Sequence, residues 1–228
     1  TIILASSSKG TLLTDQLLVF DTRSQRVVDT LPLPTPVQEN EYKSISQALR
    51  GPDSALWLAT INGLYARSRS GEWTSYHAAP SDTTALPVNV LFSICEDPLD
   101  PSRYLWVGTN GGGLVRLDRS TGRFMRIGLA QGLPNQVVYS LVPDTMGGIW
   151  MGTNNGLARY DVRTGAFLTF TQADGLAGNE FNRYGGVRAD DGRLFFSGVD
   201  GVTSFRPEDV LSVGSPTPTR ITGLMLAD

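Results

Sequence analysis

Four segments centred on a tryptophan or phenylalanine recur along this chain at a nearly constant interval, and that interval limits the fold more than any single residue does. They read LWLATINGLYAR from Leu56, LWVGTNGGGLVRLD from Leu105, IWMGTNNGLARYD from Ile149 and LFFSGVDGVTSF from Leu194. Trp57 precedes Trp106 by 49 residues, Trp106 precedes Trp150 by 44, and Phe195 follows Trp150 by 45. A period of that length is one four-stranded β-propeller blade. A fifth, degraded copy opens the chain as IILASS, an inserted SKGTLLTDQ and LLVFDTRSQRVV.

The copy around Trp150 shows what one period contains. It predicts strand A over Val137 to Val142, strand B over Ile149 to Thr153, strand C over Leu157 to Asp161 and strand D over Ala166 to Thr171. The turns between them carry Asn154-Asn155-Gly156 and Arg163-Thr164-Gly165, residues that tolerate the positive φ of tight hairpins. Helices are not expected, because every stretch of suitable apolar spacing is broken by Gly or Pro. The fold class is therefore all-β, with about five blades over residues 1–212. Trp57, Trp106 and Trp150 recur in place, which reads as packing between blades; the Gly after them lets a neighbouring backbone approach. Tyr65, Tyr76, Tyr160 and Phe170 read the same way.

Composition excludes several functions. The formal charge is −3 with no basic run, so nucleic acid is not an expected partner. One cysteine, Cys95, and one histidine, His77, are too few for a zinc cluster or an internal disulfide. A nucleophilic triad would have to use His77, and no serine sits in a GxSxG elbow. No cofactor is indicated, and no DxDxDG spacing marks a calcium loop. Apolar runs such as Leu17 to Phe20 are too short for a membrane helix, which leaves any membrane link to segments outside this chain. The start at Thr1 rather than Met reads as a piece of something longer.

The recurring motifs then carry a resemblance. Ser93-Ile-Cys-Glu-Asp97 with Leu105-Trp-Val-Gly-Thr109, and Gly148-Ile-Trp-Met-Gly-Thr153 with Gly156-Leu-Ala-Arg-Tyr-Asp161, are similar to the two-component regulator propeller repeat. The segment from Asp174 resembles the last blade of such sensors, and residues 213–228 resemble a linker and first strand of a following immunoglobulin-like domain. The resemblance implies a periplasmic, non-catalytic sensor region of a hybrid histidine kinase or related receptor, commonly with seven blades. It also implies a small-molecule ligand, with oligosaccharides the class sensed by some relatives, a dimeric full receptor, and remaining blades supplied by more chain or by a second one. The alternatives are a lyase or hydrolase similar to the streptogramin-lyase propellers, which use channel His and Glu, and a protein-interaction scaffold.

Propeller topology sorts residues by face. The D–A and B–C connections share one face, and the candidate ligand-binding residues drawn from it are Asn135, Asn154, Asn179, Glu180, Asn182 and Arg183. Asn, Glu and Arg can bond sugar hydroxyls or carboxylates, and Tyr42, Phe181 and Tyr184 could stack on a pyranose. The rival reading is that each Asn serves its own turn. The least repeat-like stretch, Gly178-Asn-Glu-Phe-Asn-Arg183, is the preferred patch. On the opposite face Arg67, Arg69, Arg119, Arg123 and Arg163 form an irregular basic rim mixed with Asp97, Asp100, Asp144, Asp190 and Asp191. That rim is ordinarily a solvated surface.

Overall fold

The computed structural model describes residues 2–6, 16–34, 45–79 and 81–211. Most of the predicted insertion, the loop of Tyr42 to Ser44 and the predicted linker at 213–228 lie outside them. Five antiparallel sheets succeed one another as propeller blades. Blade 1 is β1 (Ile2–Ser6), β2 (Gln16–Asp21) and β3 (Arg26–Pro32); blade 2 is β4 (Ile45–Arg50), β5 (Leu56–Thr60), β6 (Gly63–Arg67) and β7 (Trp73–Tyr76). Blade 3 is β8 (Leu91–Glu96), β9 (Tyr104–Thr109), β10 (Leu114–Asp118) and β11 (Arg123–Ile127). Blade 4 is β12 (Val138–Pro143), β13 (Gly148–Thr153), β14 (Leu157–Asp161) and β15 (Phe167–Phe170). Blade 5 is β16 (Phe181–Arg188), β17 (Leu194–Gly198) and β18 (Gly201–Phe205), followed by a short helix, α1 (Pro207–Leu211). The sequence pattern did not announce α1. Pro207 opens it and Glu208 and Asp209 fill its first turn, where a fixed φ and negative charge suit a helix start.

The strands at the heart of the blades are buried on both faces. Every residue of β5 and of β13 is buried, so these strands read as continuous apolar runs rather than as alternations. Four apolar clusters fill the four gaps between consecutive blades. None of them joins blade 5 to blade 1 among the described residues, and Val187, Val199 and Val202 of blade 5 are more than half exposed. Gly108 shows why glycine follows the tryptophan pair. A Cβ there would run into Ser93 Oγ and lie 2.8 Å from the Val138 carbonyl oxygen of the next blade.

Each tryptophan of blades 3 and 4 is tied to the end of its own strand A. Trp106 Nε1 donates to Asp97 Oδ2 at 2.8 Å, and Trp150 Nε1 to Asp144 Oδ2 at 3.0 Å. The other carboxylate oxygen closes the A–B turn. Asp97 Oδ1 accepts from the Leu99 and Asp100 amides, and Asp144 Oδ1 from those of Met146 and Gly148. In blade 4 Arg159, opposite Trp150 on β14, adds a buried ion pair at 2.7 Å to Asp144. Burial works to raise the Asp144 carboxyl, but the Arg159 hydrogen bond, the amides and the guanidinium charge outweigh it and hold it below its ordinary value.

Candidate functional site

The face expected to carry a ligand is knitted together by its own backbone. Gly63 donates to the Asn89 carbonyl at 2.8 Å, Gly113 to that of Gln136 at 2.9 Å, Gly156 to that of Asn179 at 2.8 Å and Val199 to that of Glu180 at 3.0 Å. The first three join a B–C turn to the following D–A connection and the fourth joins the B–C turn of blade 5 to the preceding one, so both sets do emerge together. At the inner end of this face, strand A carries a bulge in blades 2 to 5. In blade 2 the ladder passes from Ile45↔Thr60 to Gln47↔Ala59, leaving Ser46 unpaired. In blade 3 Phe92 is the extra residue, and in blade 4 it is Tyr139. Blade 5 enlarges the same bulge: between Phe181↔Gly198 and Gly186↔Phe196, the residues Asn182 to Gly185 stand against Ser197 alone. Bulges re-aim side chains without dissolving the sheet around them.

Together the four bulges build a mouth. Phe92 and Tyr139 stack with centroids 5.3 Å apart and planes 18° apart. The Arg183 guanidinium lies 4.7 Å from the Phe92 centroid, a cation–π distance. Tyr184 stands 67% exposed at φ 61°, a strained conformation for a bulky residue. Beneath them a cavity of about 220 Å³ is lined by Ser46, Ser93, Tyr139, Ser140 and Tyr184. The hydroxyls of Ser46, Ser93 and Ser140 are buried and have no hydrogen-bond partner. Gln47 is occupied: its Oε1 accepts from the Ile94 amide at 2.9 Å and links the inner edges of blades 2 and 3. The mouth thus offers the exposed Tyr184 ring, the partly exposed Tyr139 and a cation without an ion pair among the described residues, with three buried, unpartnered hydroxyls in the wall beneath, a set suited to a polar ring-shaped molecule.

Of the residues expected from sequence, Asn182 and Arg183 lie on the enlarged bulge. Asn135 and Asn179 spend their side chains on backbone, Asn135 Oδ1 accepting from Val137 at 2.8 Å and Asn179 Oδ1 from Gln172 at 2.7 Å. Glu180 is exposed beside its bonded carbonyl, and Asn154 is exposed in the β13–β14 turn. Phe181 is 3% exposed in the core between blades 4 and 5, so it presents no stacking face. Sequence reasoning missed Ser46, Phe92, Ser93, Tyr139 and Ser140. The signal was there in part, as the repeated aromatic-serine pairs Phe92-Ser93 and Tyr139-Ser140 at matching places. Cys95 is buried, and burial with the charges of Asp97 and Glu96 pushes its thiol up, far from a reactive thiolate. His77 follows the outermost strand of blade 2 and meets the Tyr65 ring edge-on at 5.6 Å.

Comparison with known proteins agrees with this architecture. Residues 132–155 match the family described as two component regulator propeller. A stretch of 73 residues, 32% of this chain and 5% of the relative, is 32% identical to histidine kinase P4 of Formosa agariphila. Among solved structures, the extracellular domains of two hybrid two-component systems of B. thetaiotaomicron superpose with TM-scores of 0.65 and 0.67 at 21% and 20% identity. Each alignment covers 86% of this chain and 27% of the other. Virginiamycin B lyase from Staphylococcus aureus gives 0.60 at 18% identity over 90% of this chain and 64% of the lyase. The chain therefore spans a small part of the receptor proteins it matches. At these identities the structural likenesses establish the fold.

Proposed function

Starting from a β-propeller that carries a two-component regulator propeller repeat, we propose that the chain is a non-catalytic ligand-sensing module in the periplasmic ectodomain of a signalling receptor. The observation that carries this reading is the mouth: an enlarged bulge brings Arg183 and Tyr184 over the Phe92–Tyr139 stack and three unpartnered serine hydroxyls. Oligosaccharides fit that chemistry, since hydroxyls bond hydroxyls and aromatic faces cover the apolar face of a pyranose. No helix among the described residues is long and apolar enough to cross a membrane. In this reading further blades, from the same protein or a second chain, cover the exposed face of blade 5, and the receptor works as a dimer. A lyase reading draws nothing from His77, which follows the outermost strand of blade 2 and packs edge-on against Tyr65.

A thermal-shift screen against neutral and acidic oligosaccharides, followed by calorimetry, tests the proposal. A hit should lose about tenfold or more in affinity on Arg183→Ala, and as much on Tyr184→Ala, with stability unchanged. Ligand binding indifferent to both substitutions would remove the mouth from the account.

A further inference from the structure

On the opposite rim, between blades 2 and 3, lies a cavity of about 520 Å³, and it exists because blade 2 departs from its sisters at three matched positions. Gly51 donates its amide to the Ala55 carbonyl just as Asp97 does to Tyr104 and Asp144 to Gly148. Ala66 stands opposite Trp57 where Arg116 faces Trp106 and Arg159 faces Trp150. Ser68 follows the Leu56↔Arg67 pair at the place of Asp118 and Asp161. Blade 2 has thus lost two carboxylates and a guanidinium while keeping the tryptophan. Blade 5 changed consistently: Phe195 replaces the tryptophan, and Ala189 stands at the acidic position.

In blade 2 the loss leaves a donor stranded. Trp57 is 4% exposed, lines the cavity, and its Nε1 is buried without a partner. A buried N–H left unbonded is a standing cost, and such groups call for an explanation. Arg119 reaches in from blade 3, with its guanidinium 5.2 Å from the Trp57 ring, ion-paired to Asp53 and donating to the Pro101 carbonyl at 3.0 Å. Arg69 also lines the cavity, exposed and without an ion pair among the described residues. Tyr76 backs the indole at 6.3 Å, planes 19° apart. Where blades 3 and 4 root that carboxylate, a Cβ on Gly51 would lie 2.8 Å from Asp53 Oδ1 and 3.5 Å from the Arg119 guanidinium, yet no carboxylate bonds the indole N–H, and Arg69 and Arg103 complete the charged lining.

We infer that this cavity binds a small molecule bearing a carboxylate, which accepts from Trp57 Nε1 as the Asp97 and Asp144 side chains accept from Trp106 and Trp150. Arg119 and Arg69 supply the counter-charge, and hydrogen bonds between ionised partners are the strong ones. The site lies on the other face from the mouth and does not rest on the sensing role proposed for it.

The test follows the indole N–H signals of the ¹⁵N-labelled chain by NMR during titration with acetate and with glucuronate, against acetamide and glucose as neutral counterparts. The signal that disappears in Trp57→Phe should move downfield saturably with the two acids and stay still with the neutral pair. Gly51→Asp restores the internal carboxylate; it should place that signal near its bound position without ligand and abolish the response. Its new Cβ meets the Asp53 side chain at 2.8 Å rather than backbone, so Asp53 has to shift from the Ala55 amide to accept it. Arg119→Gln, which keeps most of the packing on Trp57, should weaken acid binding about tenfold. An unmoved Trp57 signal, an equal response to the neutral compounds, or acid binding unaltered in both Gly51→Asp and Arg119→Gln would overturn the inference.

Discussion

Blade 4 and blade 2 are built on one frame and filled differently. Both carry the four-stranded ladder, the buried tryptophan and a wholly buried strand B. Blade 4 seals its rim with Asp144, Arg159 and Trp150, whereas blade 2 has Gly51, Ala66 and an orphaned indole. That blade 2 keeps the same register without the charged set teaches that ladder and apolar packing hold a blade. The polar set decides whether the rim is closed. In blade 4 those charges, once buried, have become mutually dependent, and there the two blades should respond most differently to damage.

The largest expected effect is therefore Asp144→Ala, which strands Trp150 Nε1 and two amides and leaves the buried Arg159 only its longer 3.5 Å contact with Asp161; about 3 kcal/mol of stability should be lost by denaturant unfolding. A loss below that of Asp97→Ala, which strands no buried guanidinium, would break the comparison. Acid sharpens it. The folded carboxyl of Asp144 sits below its unfolded value, so its contribution is complete above the unfolded pKa of about 4 and fades as pH falls through the lower folded value. The gap in stability between the parent chain and Asp144→Ala should hold steady from about pH 7 to 5 and close below about pH 4. A gap that widens on acidification would reverse the assignment.

Packing comes next in size. Gly108→Ala forces a methyl against Ser93 and the Val138 carbonyl and should cost about 1–3 kcal/mol, while Ala59, at the matching place in blade 2, already carries that methyl. Smaller still is a contrast between tryptophans. Trp106→Phe breaks a buried hydrogen bond and leaves Asp97 short of a donor; Trp57→Phe breaks none. The first should destabilise by about 1–2 kcal/mol more than the second, read from paired melting curves. Equal losses would mean that Trp57 Nε1 is bonded after all.

Much of this frame could be read in the residues. The period and the Asn-Gly and Thr-Gly hairpins placed the strands of blade 4 to within a residue, because turn chemistry is local. The mouth was legible at Asn182, Arg183 and Tyr184, whose stretch stands out as unlike the other copies. Its remaining parts come from three other blades and sit at ordinary strand positions. Only the ladder register shows that Ser46, Phe92 and Tyr139 are unpaired and aimed together. Phe181 was misplaced for the same reason: the enlarged bulge begins one residue later than a pattern of apolar and polar letters suggests. Gly51 was hidden differently. A search for what recurs overlooks the residue that has gone missing, although RGPD in place of an acidic strand end was visible in the chain.

The bulge of blade 5 has a consequence for how such a molecule can diversify. Its flanking pairs, Phe181↔Gly198 and Gly186↔Phe196, belong to the sheet on either side, and the residues between them hang free of the ladder. Codons added or removed at that point change what faces an incoming molecule while leaving the heritable blade unit intact. A gene assembled from duplicated blades carries such an insertion point in each of blades 2 to 5, and each can drift without its neighbours.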